Sequence, residues 1–343
     1  MPQPTAIAMS GGVDSSVAAY LLRKEGHEPV GLFMRTGVDA TDEHAADAQR
    51  VAAQLGIPLH VLDLSREFEE IIDQFCDEYC RGRTPNPCIV CNRRLKFGRL
   101  LEEAQALGAG RLATGHYARL AGTAQQPQLL RGVDPGKDQS YFLFDLAQDQ
   151  LASALFPNGD RTKADIRRIA ESAGLPVKEK AESQEICFVP DNEYRRFLRK
   201  RRPDAARKGT LKDSTGATLG EHEGIAFFTI GQRRGLGIAV GEARYVTRID
   251  PDRNEVTVGP RKTLYADRLT AAQVNWVSIA APTRELRAEA QIRYAHRAAP
   301  ATLRPLPDRR VEVTFDEPQR AVTPGQAAVF YNGDLLLGGG WIE

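Results

Sequence analysis

TAIAMSGGVDSSVAAYLLRKEG, residues 5–26, joins an apolar run to an amphipathic segment through a turn rich in glycine and serine. The run TAIAM (5–9) predicts a buried strand, and VAAYLLRKEG (17–26) has apolar residues three and four apart, as in a helix that ends at glycine. Such a loop gathers backbone amides and a helix N-terminus at one point. The stretch therefore predicts an α/β fold with an anion-binding loop.

The loop SGGVDSS (10–16) has the composition of a phosphate cradle. Its glycines let the backbone approach an anion, and its serines offer hydroxyl groups. No lysine stands where a Walker A loop requires one, so the loop suits a leaving pyrophosphate better than the transfer of a terminal phosphoryl group. Asp14 is a candidate ligand of Mg2+ or a helix cap. A plain turn is the alternative, and this composition disfavours it.

The pattern of strand and helix continues to about residue 117. Strands are predicted at VGLFM (30–34), PLHVLDL (58–64) and RLATGHY (111–117), and helices at HAADAQRVAAQLG (44–56) and 66–80. Alternation at this spacing indicates a doubly wound parallel sheet.

The second half of the chain indicates β structure, because short apolar runs alternate there with Gly, Pro and Asp turns. The runs are GIAFFTI (224–230), RYVTRI (244–249), EVTVG (255–259), RVEVTF (310–315) and AAVFY (327–331). We expect an α/β domain over 1–202 and two small β-barrels or sheets, a central domain over 203–261 and a C-terminal domain over 262–343.

The composition is that of a soluble protein: of 343 residues, 42% are hydrophobic and 27% charged. No apolar run is long enough to cross a membrane and the start lacks an export signal, so we expect a cytoplasmic protein without a membrane partner. The net charge of +1 hides a run at 195–212 with nine Lys or Arg and one acid. This run predicts either polyanion binding or a solvated helix end, and charge alone leaves both open.

Five cysteines without an export signal disfavour structural disulfides and favour metal binding or thiol chemistry. Cys76 and Cys80 lie four apart in a predicted amphipathic helix, where core packing explains them best. TPNPCIVCN (84–92) holds Cys88 and Cys91, whose spacing suits a metal, a disulfide or a reactive sulfur.

The loop at 10–16 resembles that of the ATP-pyrophosphatases, which adenylate a carbonyl oxygen and displace AMP with a nucleophile. Further motifs distinguish among the classes of that superfamily. Together with MSGGVDSS and GLFM, they resemble the motifs of the bacterial tRNA-specific 2-thiouridylases, and they follow the same order over nearly the whole chain. These motifs are GRTPNPCIVCNRRLKFG (82–98), ATGHYAR (113–119), LLRGVDPGKDQSYFLF (129–144), ESQEICFVP (182–190), TIGQRRGLGI (229–238) and AVTPGQAAVFYNG (321–333).

The resemblance implies an enzyme that replaces the 2-oxygen of the wobble uridine, position 34 of certain tRNAs, with sulfur at the expense of ATP and Mg2+. It places ATP on the loop and the neighbouring strand ends. The implied contacts are Ala8, Met9, Ser10, Gly11, Gly12, Val13, Asp14, Ser15, Met34 and Gly115.

The resemblance also implies a persulfide on Cys187 and an attacking thiolate on Cys91, which leaves a disulfide between them. A persulfide donor protein, either a cysteine desulfurase or a relay protein, is then a partner. Reactive cysteines need a lowered pKa, and Arg93, Arg94 and Lys96 are the cations expected to lower it. Without the resemblance, Cys187 would be a buried small hydrophobic residue.

Residues at the target base and the tRNA are likewise carried over from the family. They are Asn86, Pro87, Cys88, His116, Lys137, Asp138, Gln139, Arg293, Tyr294 and Gln326. Cys88 departs from the family pattern, because many members have Asp there as a candidate general base. An extruded uracil is expected to lie against this pocket.

Two alternatives change the sulfur chemistry or remove it. Cys88, Cys91 and Cys187 could bind a [4Fe-4S] cluster whose open iron carries the sulfur. A non-catalytic tRNA-binding protein with zinc on Cys76, Cys80, Cys88 and Cys91 is a remote alternative, since it leaves SGGVDSS and ICF unexplained.

Overall fold

The computed structural model describes residues 4–38, 41–178, 180, 186–189, 191, 193–238 and 243–343. The first elements are β1 (Thr5–Ala8), α1 (Val13–Lys24), β2 (Val30–Arg35), α2 (Thr41–Leu55), β3 (Leu59–Asp63), α3 (Ser65–Cys80), α4 (Pro87–Cys91), a π-helix (Asn92–Leu100), α5 (Leu101–Ala106) and β4 (Arg111–Ala113). They are followed by β5 (Ala118–Gly122), β6 (Pro127–Arg131), a 3-10 helix (Ser140–Leu143), α6 (Gln148–Ala152), β7 (Ala154–Leu155), α7 (Lys163–Ser172) and α8 (Tyr194–Arg201).

The central sheet is parallel, with the strand order β3-β2-β1-β4-β7. Successive side chains of a strand face opposite sides, and on β1 both sides are buried: Ala6 packs into one core with Leu112, and Ile7 into another with Val17 of α1. This confirms the predicted doubly wound sheet. The carboxyl ends of β1 and β4 lie side by side, where ligands of open α/β sheets bind.

A smaller sheet follows, made of β8 (Gly209–Asp213), β9 (Thr218–His222), β10 (Tyr245–Asp250) and β11 (Glu255–Gly259), in the order β10-β11-β8-β9. The strand predicted at 224–230 is wrong, because Ile225–Phe227 forms a 3-10 helix. Its apolar side chains are buried against α3 all the same. A short apolar run predicts that the segment is buried, but it does not distinguish a strand from a helix.

The C-terminal strands are β12 (Tyr265–Trp276), β13 (Leu286–Gln291), β14 (Ala299–Leu306), β15 (Arg310–Arg320), β16 (Ala327–Asn332) and β17 (Leu335–Ile342). They form a barrel that closes where β12 pairs with β17. The β5–β6 hairpin joins the same sheet, since Leu130 pairs with Leu335 and the Arg131 amide donates to the Asp334 carbonyl. The hairpin carries the N-terminal domain onto the barrel, and its pairing was not predicted.

The basic run at 195–212 is largely paired within the protein. Arg201 forms an ion pair with Glu69 of α3, and Arg199 pairs with Glu223. Arg202 lies 2.9 Å from Asp73 and 3.1 Å from Asp77, also on α3. These ion pairs hold α8 against α3, so much of the expected cationic surface is already neutralised.

The two cysteines of α3 lie where core packing was predicted. Cys76 is fully buried, and Cys80 is partly buried at the edge of the same cluster, with Phe68, Phe75 and Tyr79 as neighbours. In the described residues, no helix has both the length and the apolar character that crossing a bilayer requires.

Candidate active site

The loop after β1 is closed by its own hydrogen bonds. The Ser10 amide donates to Ser15 Oγ at 3.1 Å, and the two hydroxyl oxygens are 3.1 Å apart. Ser16 Oγ donates to the Gly12 carbonyl at 2.8 Å. The loop is therefore held in shape before any ligand binds.

The two glycines of the loop have different tasks. Gly11 has a φ of +71°, and a Cβ there would overlap the His44 carbonyl of α2. Gly12 has open space, since the nearest atom to a Cβ added at this position would be Ser10 Oγ at 3.5 Å. Gly11 thus serves packing against α2, while Gly12 leaves room for an anion beside the first amides of α1.

Other residues that were predicted to contact ATP face the core. Met9 and Val13 are buried in the cluster behind the loop, so only their backbone atoms are available to a ligand. Ala8 and Met34 are partly buried at the ends of β1 and β2, at the same edge of the sheet.

Asp14 lies at the centre of a small polar network. Its Oδ1 accepts hydrogen bonds from the Tyr117 hydroxyl and from Lys163 Nζ, both at 2.6 Å. Asp14 makes no cap of its helix, because the N-cap position is Gly12 and has no side-chain bond. Since both contacts end on Oδ1, Oδ2 of Asp14 is the oxygen that would hold a Mg2+ ion bound with ATP.

The TGHY loop after β4 packs directly on the phosphate loop. A Cβ on Gly115 would lie 2.8 Å from the Ser15 amide nitrogen and 2.9 Å from the Asp14 carbonyl carbon. Asn158 is fully buried and donates from Nδ2 to the carbonyls of Asp14 (2.9 Å) and Gly115 (3.1 Å). Gly115 therefore lets the two loops meet, and Asn158 fastens them.

The two cysteines expected to carry sulfur, Cys91 and Cys187, lie close to each other and to Cys88. Cys88 and Cys91 are on α4, which starts with Pro87 as helices often do. Cys187 is exposed, and the neighbouring thiols of Cys88 and Cys91 both act on its pKa. All three are free thiols.

The pKa values of these thiols contradict the expectation that they are lowered. Burial raises the pKa of Cys88 to about 11 and also raises that of Cys91. The pKa of Cys187 is also raised, chiefly because the surrounding protein excludes water from the thiol, although the residue as a whole is exposed. The correction has a physical reason: loss of water disfavours a thiolate more than the positive charge of Lys96 favours it.

The other two cations predicted to help face elsewhere. Arg93 Nη1 lies 2.9 Å from both carboxylate oxygens of Asp145. Arg94 lies 2.6 Å from Glu70 on α3. Among the cations of the described residues, Lys96 is the one that acts on all three thiols.

Lys96 also contacts the TGHY loop. Its Nζ lies 3.5 Å from Nε2 of His116, whose Nδ1 lies 2.7 Å from the Thr114 hydroxyl. Burial, with the Lys96 charge, holds the pKa of His116 well below its usual range, so the imidazole is neutral. With Lys96 as donor, His116 carries its proton on Nδ1.

Three family models match consecutive parts of the chain. Their descriptions are tRNA methyl transferase HUP domain (3–191), tRNA methyl transferase PRC-barrel domain (195–260) and aminomethyltransferase beta-barrel domain (266–342). The tRNA-specific 2-thiouridylase MnmA of Geotalea uraniireducens is 52% identical over 98% of this chain and 94% of the relative. That of Syntrophotalea carbinolica is 50% identical over 98% of this chain and 97% of the relative. This chain belongs to the tRNA-specific 2-thiouridylase family.

Solved structures outside the 2-thiouridylase family are similar to part of the chain. A 4-thiouridine synthetase in complex with RNA and ATP is 19% identical, covers 59% of this chain and 51% of that one, and has a TM-score of 0.38. An NMN synthetase from Francisella tularensis is 18% identical, covers 53% and 67%, and has a TM-score of 0.37.

Several tRNA contacts expected of a 2-thiouridylase hold the fold together here. Gln326 donates to the Thr84 carbonyl at 3.0 Å and so ties the barrel to the segment that contains Asn86, which is partly buried. Asp138 accepts from Arg131 at 2.9 Å, and Gln139 Oε1 accepts from the Tyr117 amide at 3.0 Å.

The remaining expected contacts differ in their access to a ligand. His116 is buried, and Arg293 donates to the Arg320 carbonyl at 3.0 Å. Tyr294 is exposed, with its ring 4.4 Å from that of Phe142, and Lys137 is partly exposed. Tyr294 and Lys137 are the most accessible members of the set.

Sequence reasoning missed Lys163 and Asn158. Neither belongs to a motif that was recognised, and each lies far from the phosphate loop in the sequence. Thr162, which caps α7 through the Asp165 amide, was the only local signal near Lys163. It predicts where a helix starts and says nothing about Asp14.

Proposed function

We propose that this protein uses ATP to replace the 2-oxygen of the wobble uridine of tRNA with sulfur. One observation supports the proposal most: the TGHY loop touches both halves of the site. Gly115 and Tyr117 contact the phosphate loop, whereas His116 contacts Lys96, just after Cys91. A nucleotide on that loop and a sulfur on the cysteines would therefore meet at one base.

The nucleotide half suits activation of the base. Uracil C2 is a poor electrophile, so O2 first attacks the α-phosphorus of ATP, and the bond to pyrophosphate breaks. Gly12 and the first amides of α1 hold the leaving pyrophosphate. Lys163 and Asp14 lie beside it, and Mg2+ at Asp14 would supply neutralisation of the polyphosphate charge.

The cysteine half suits sulfur delivery. The outer sulfur of a Cys187 persulfide bonds to C2 of the base, and AMP leaves with the former O2. The Cys91 thiolate then attacks the Cys187 sulfur, the bond to the transferred sulfur breaks, and a Cys91–Cys187 disulfide remains for an external thiol to reduce.

The exposure of Cys187 supports loading by another protein. We propose a cysteine desulfurase or a persulfide relay protein as the donor. We place the reaction in the cytoplasm, where its tRNA substrate is made, and divide the work among domains 1–202, 203–261 and 262–343.

A [4Fe-4S] cluster on Cys88, Cys91 and Cys187 is the competing route. Within the described part of the chain, no three His, Cys, Asp or Glu side chains converge as metal ligands would. The same geometry argues against the zinc set, whose member Cys76 is enclosed in an apolar core. The geometry of the described residues therefore supports the thiol route over either metal centre.

The test uses the full chain, ATP, a persulfide donor and an unmodified tRNA transcript with uridine at position 34. We expect one AMP per thiouridine, with sulfur only at position 34. The control transcript has cytidine there and should yield neither product. Thiolation that requires bound iron, or AMP without base modification, would contradict the proposal.

A further inference from the structure

The nine residues after Cys91 form a π-helix, Asn92–Leu100. An α-helix turns about 100° per residue, so residues five apart lie about 140° apart around its axis. In a π-helix the hydrogen bond joins residues five apart, so five residues make only a little more than one turn. Lys96 is five residues beyond Cys91 and is thus brought towards its side. Leu95, the residue that an α-helix would place there, is buried in the core.

The Lys96 side chain is held from its far end. Its Nζ contacts His116 Nε2, and the Thr114 hydroxyl fixes the other ring nitrogen. The rings of Phe97 and Phe156 lie 6.2 Å and 6.0 Å from the imidazole and restrict its rotation. A neutral imidazole can accept from the ammonium without cancelling its charge.

Lys96 differs from its neighbours in one respect. Arg93 and Arg94 each pair with a carboxylate, Asp145 and Glu70. Across the ranges that the structure describes, no carboxylate lies within 4 Å of Lys96. A partly buried cation of this kind acts on whatever polarisable group is near it.

The groups near Lys96 are the thiols. Among the described residues, the titratable side chains that act on one another here are those of Cys88 and Cys91 on α4, Lys96 on the π-helix and Cys187, and Lys96 in turn contacts His116 on the TGHY loop. Lys96 lowers the pKa of each of the three thiols against the effect of burial.

We propose that Lys96 is a positioning residue for the sulfur chemistry: its ammonium, fixed by the π-helical turn and by His116, stabilises the thiolate that Cys91 forms when it reacts beside Cys187. The proton lost by Cys91 goes to bulk water, Lys96 keeps its own proton, and no bond to sulfur forms. The inference rests on the proposed role of Cys91 as the attacking thiolate.

The test measures the rate at which iodoacetamide alkylates Cys91 in the full chain, by peptide mass spectrometry across a series of pH values. Lys96→Met should slow alkylation about tenfold near pH 8 and move the midpoint of the profile up by about one unit. Lys96→Arg should stay near the wild-type profile, because the charge is kept. Arg94→Met, on the same helix, should leave the profile unchanged.

Circular dichroism melting identifies variants that are folded. A folded Lys96→Met protein with an unchanged Cys91 profile, or an equal shift in Arg94→Met, would overturn the proposal. Alkylation needs no ATP, tRNA or persulfide, so the two proposals can fail separately. Normal thiolation by Cys91→Ser would refute the role of Cys91, whatever the alkylation profile shows.

Discussion

The nucleotide loop and the cysteine cluster lie at the same edge of the fold and are organised differently. In the loop, Asp14 is bonded to Lys163 and Tyr117, and Asn158 fastens the neighbouring backbone. Around the cysteines, burial raises the pKa values of the thiols and the positive charge of Lys96 opposes this effect. Fixed hydrogen bonds and an ion pair organise the first region, whereas the ionisation of the thiols is the sensitive property of the second. Substitutions of similar size should therefore impair the two regions in different ways.

The largest effect is expected at the cysteines. Cys91→Ser and Cys187→Ser should each lower thiolation by more than about a thousandfold, since a hydroxyl cannot carry or release persulfide sulfur. Pyrophosphate release should continue in both variants. The measurement is thiouridine and pyrophosphate from the same reaction.

Cys88→Ser and Cys80→Ser are the matched controls, and both should retain appreciable thiolation. A dead Cys88→Ser variant beside an iron-containing wild type would favour the cluster instead. Non-reducing digestion after turnover should also yield a peptide in which Cys91 is linked to Cys187.

Asp14→Asn tests the nucleotide loop through its charge. An amide cannot balance Lys163 or bind Mg2+ as a carboxylate does, so pyrophosphate release should fall about a hundredfold. The tRNA dissociation constant should not change. Asp149→Asn, at an exposed position of α6, is the control, and equal losses in both variants would count against a specific role for Asp14.

Gly115→Ala tests the same loop through its shape alone. The added methyl group would press on the Ser15 amide, so pyrophosphate release should fall about tenfold and unfolding should cost about 1 to 3 kcal/mol less. Gly220→Ala adds the same group where nothing lies within 4 Å. Equal activity in the two variants would show that the loops tolerate separation.

The smallest effect concerns the basic run. Arg202→Glu breaks the ion pairs with Asp73 and Asp77, so we expect a loss of about 1 kcal/mol in the free energy of unfolding and little change in the salt dependence of tRNA binding. Lys200→Glu, at an exposed position, should leave the free energy of unfolding nearly unchanged and should flatten the salt dependence of tRNA binding. The checks are urea unfolding and tRNA titrations at several salt concentrations. If the salt dependence were flattened in Arg202→Glu alone, the result would support the hypothesis that the basic run at 195–212 binds tRNA.

The parallel sheet and the phosphate loop could be predicted because their signals are local. Apolar periodicity marks β1 to β3 and α1 to α3, and the glycines and serines of 10–16 stand together. Lys163, Asn158 and the partners of the basic run could not, since each depends on a contact between distant parts of the chain. The thiol pKa values were mispredicted for a related reason. Nearby cations can be read from the sequence, whereas the extent to which folding desolvates the thiols cannot.

The β5–β6 hairpin has a consequence for the synthesis of the protein. In the described residues, the strand that pairs with its outer edge, at Leu130, is β17, which begins at Leu335. Most of the chain must therefore be synthesised before that pairing can form. Pairings of such long sequence separation form late. Until then β6 offers unpaired amides and carbonyls to other strands, as it would permanently in a fragment of residues 1–202. We expect such a fragment to self-associate, and the nascent chain to need protection from its neighbours.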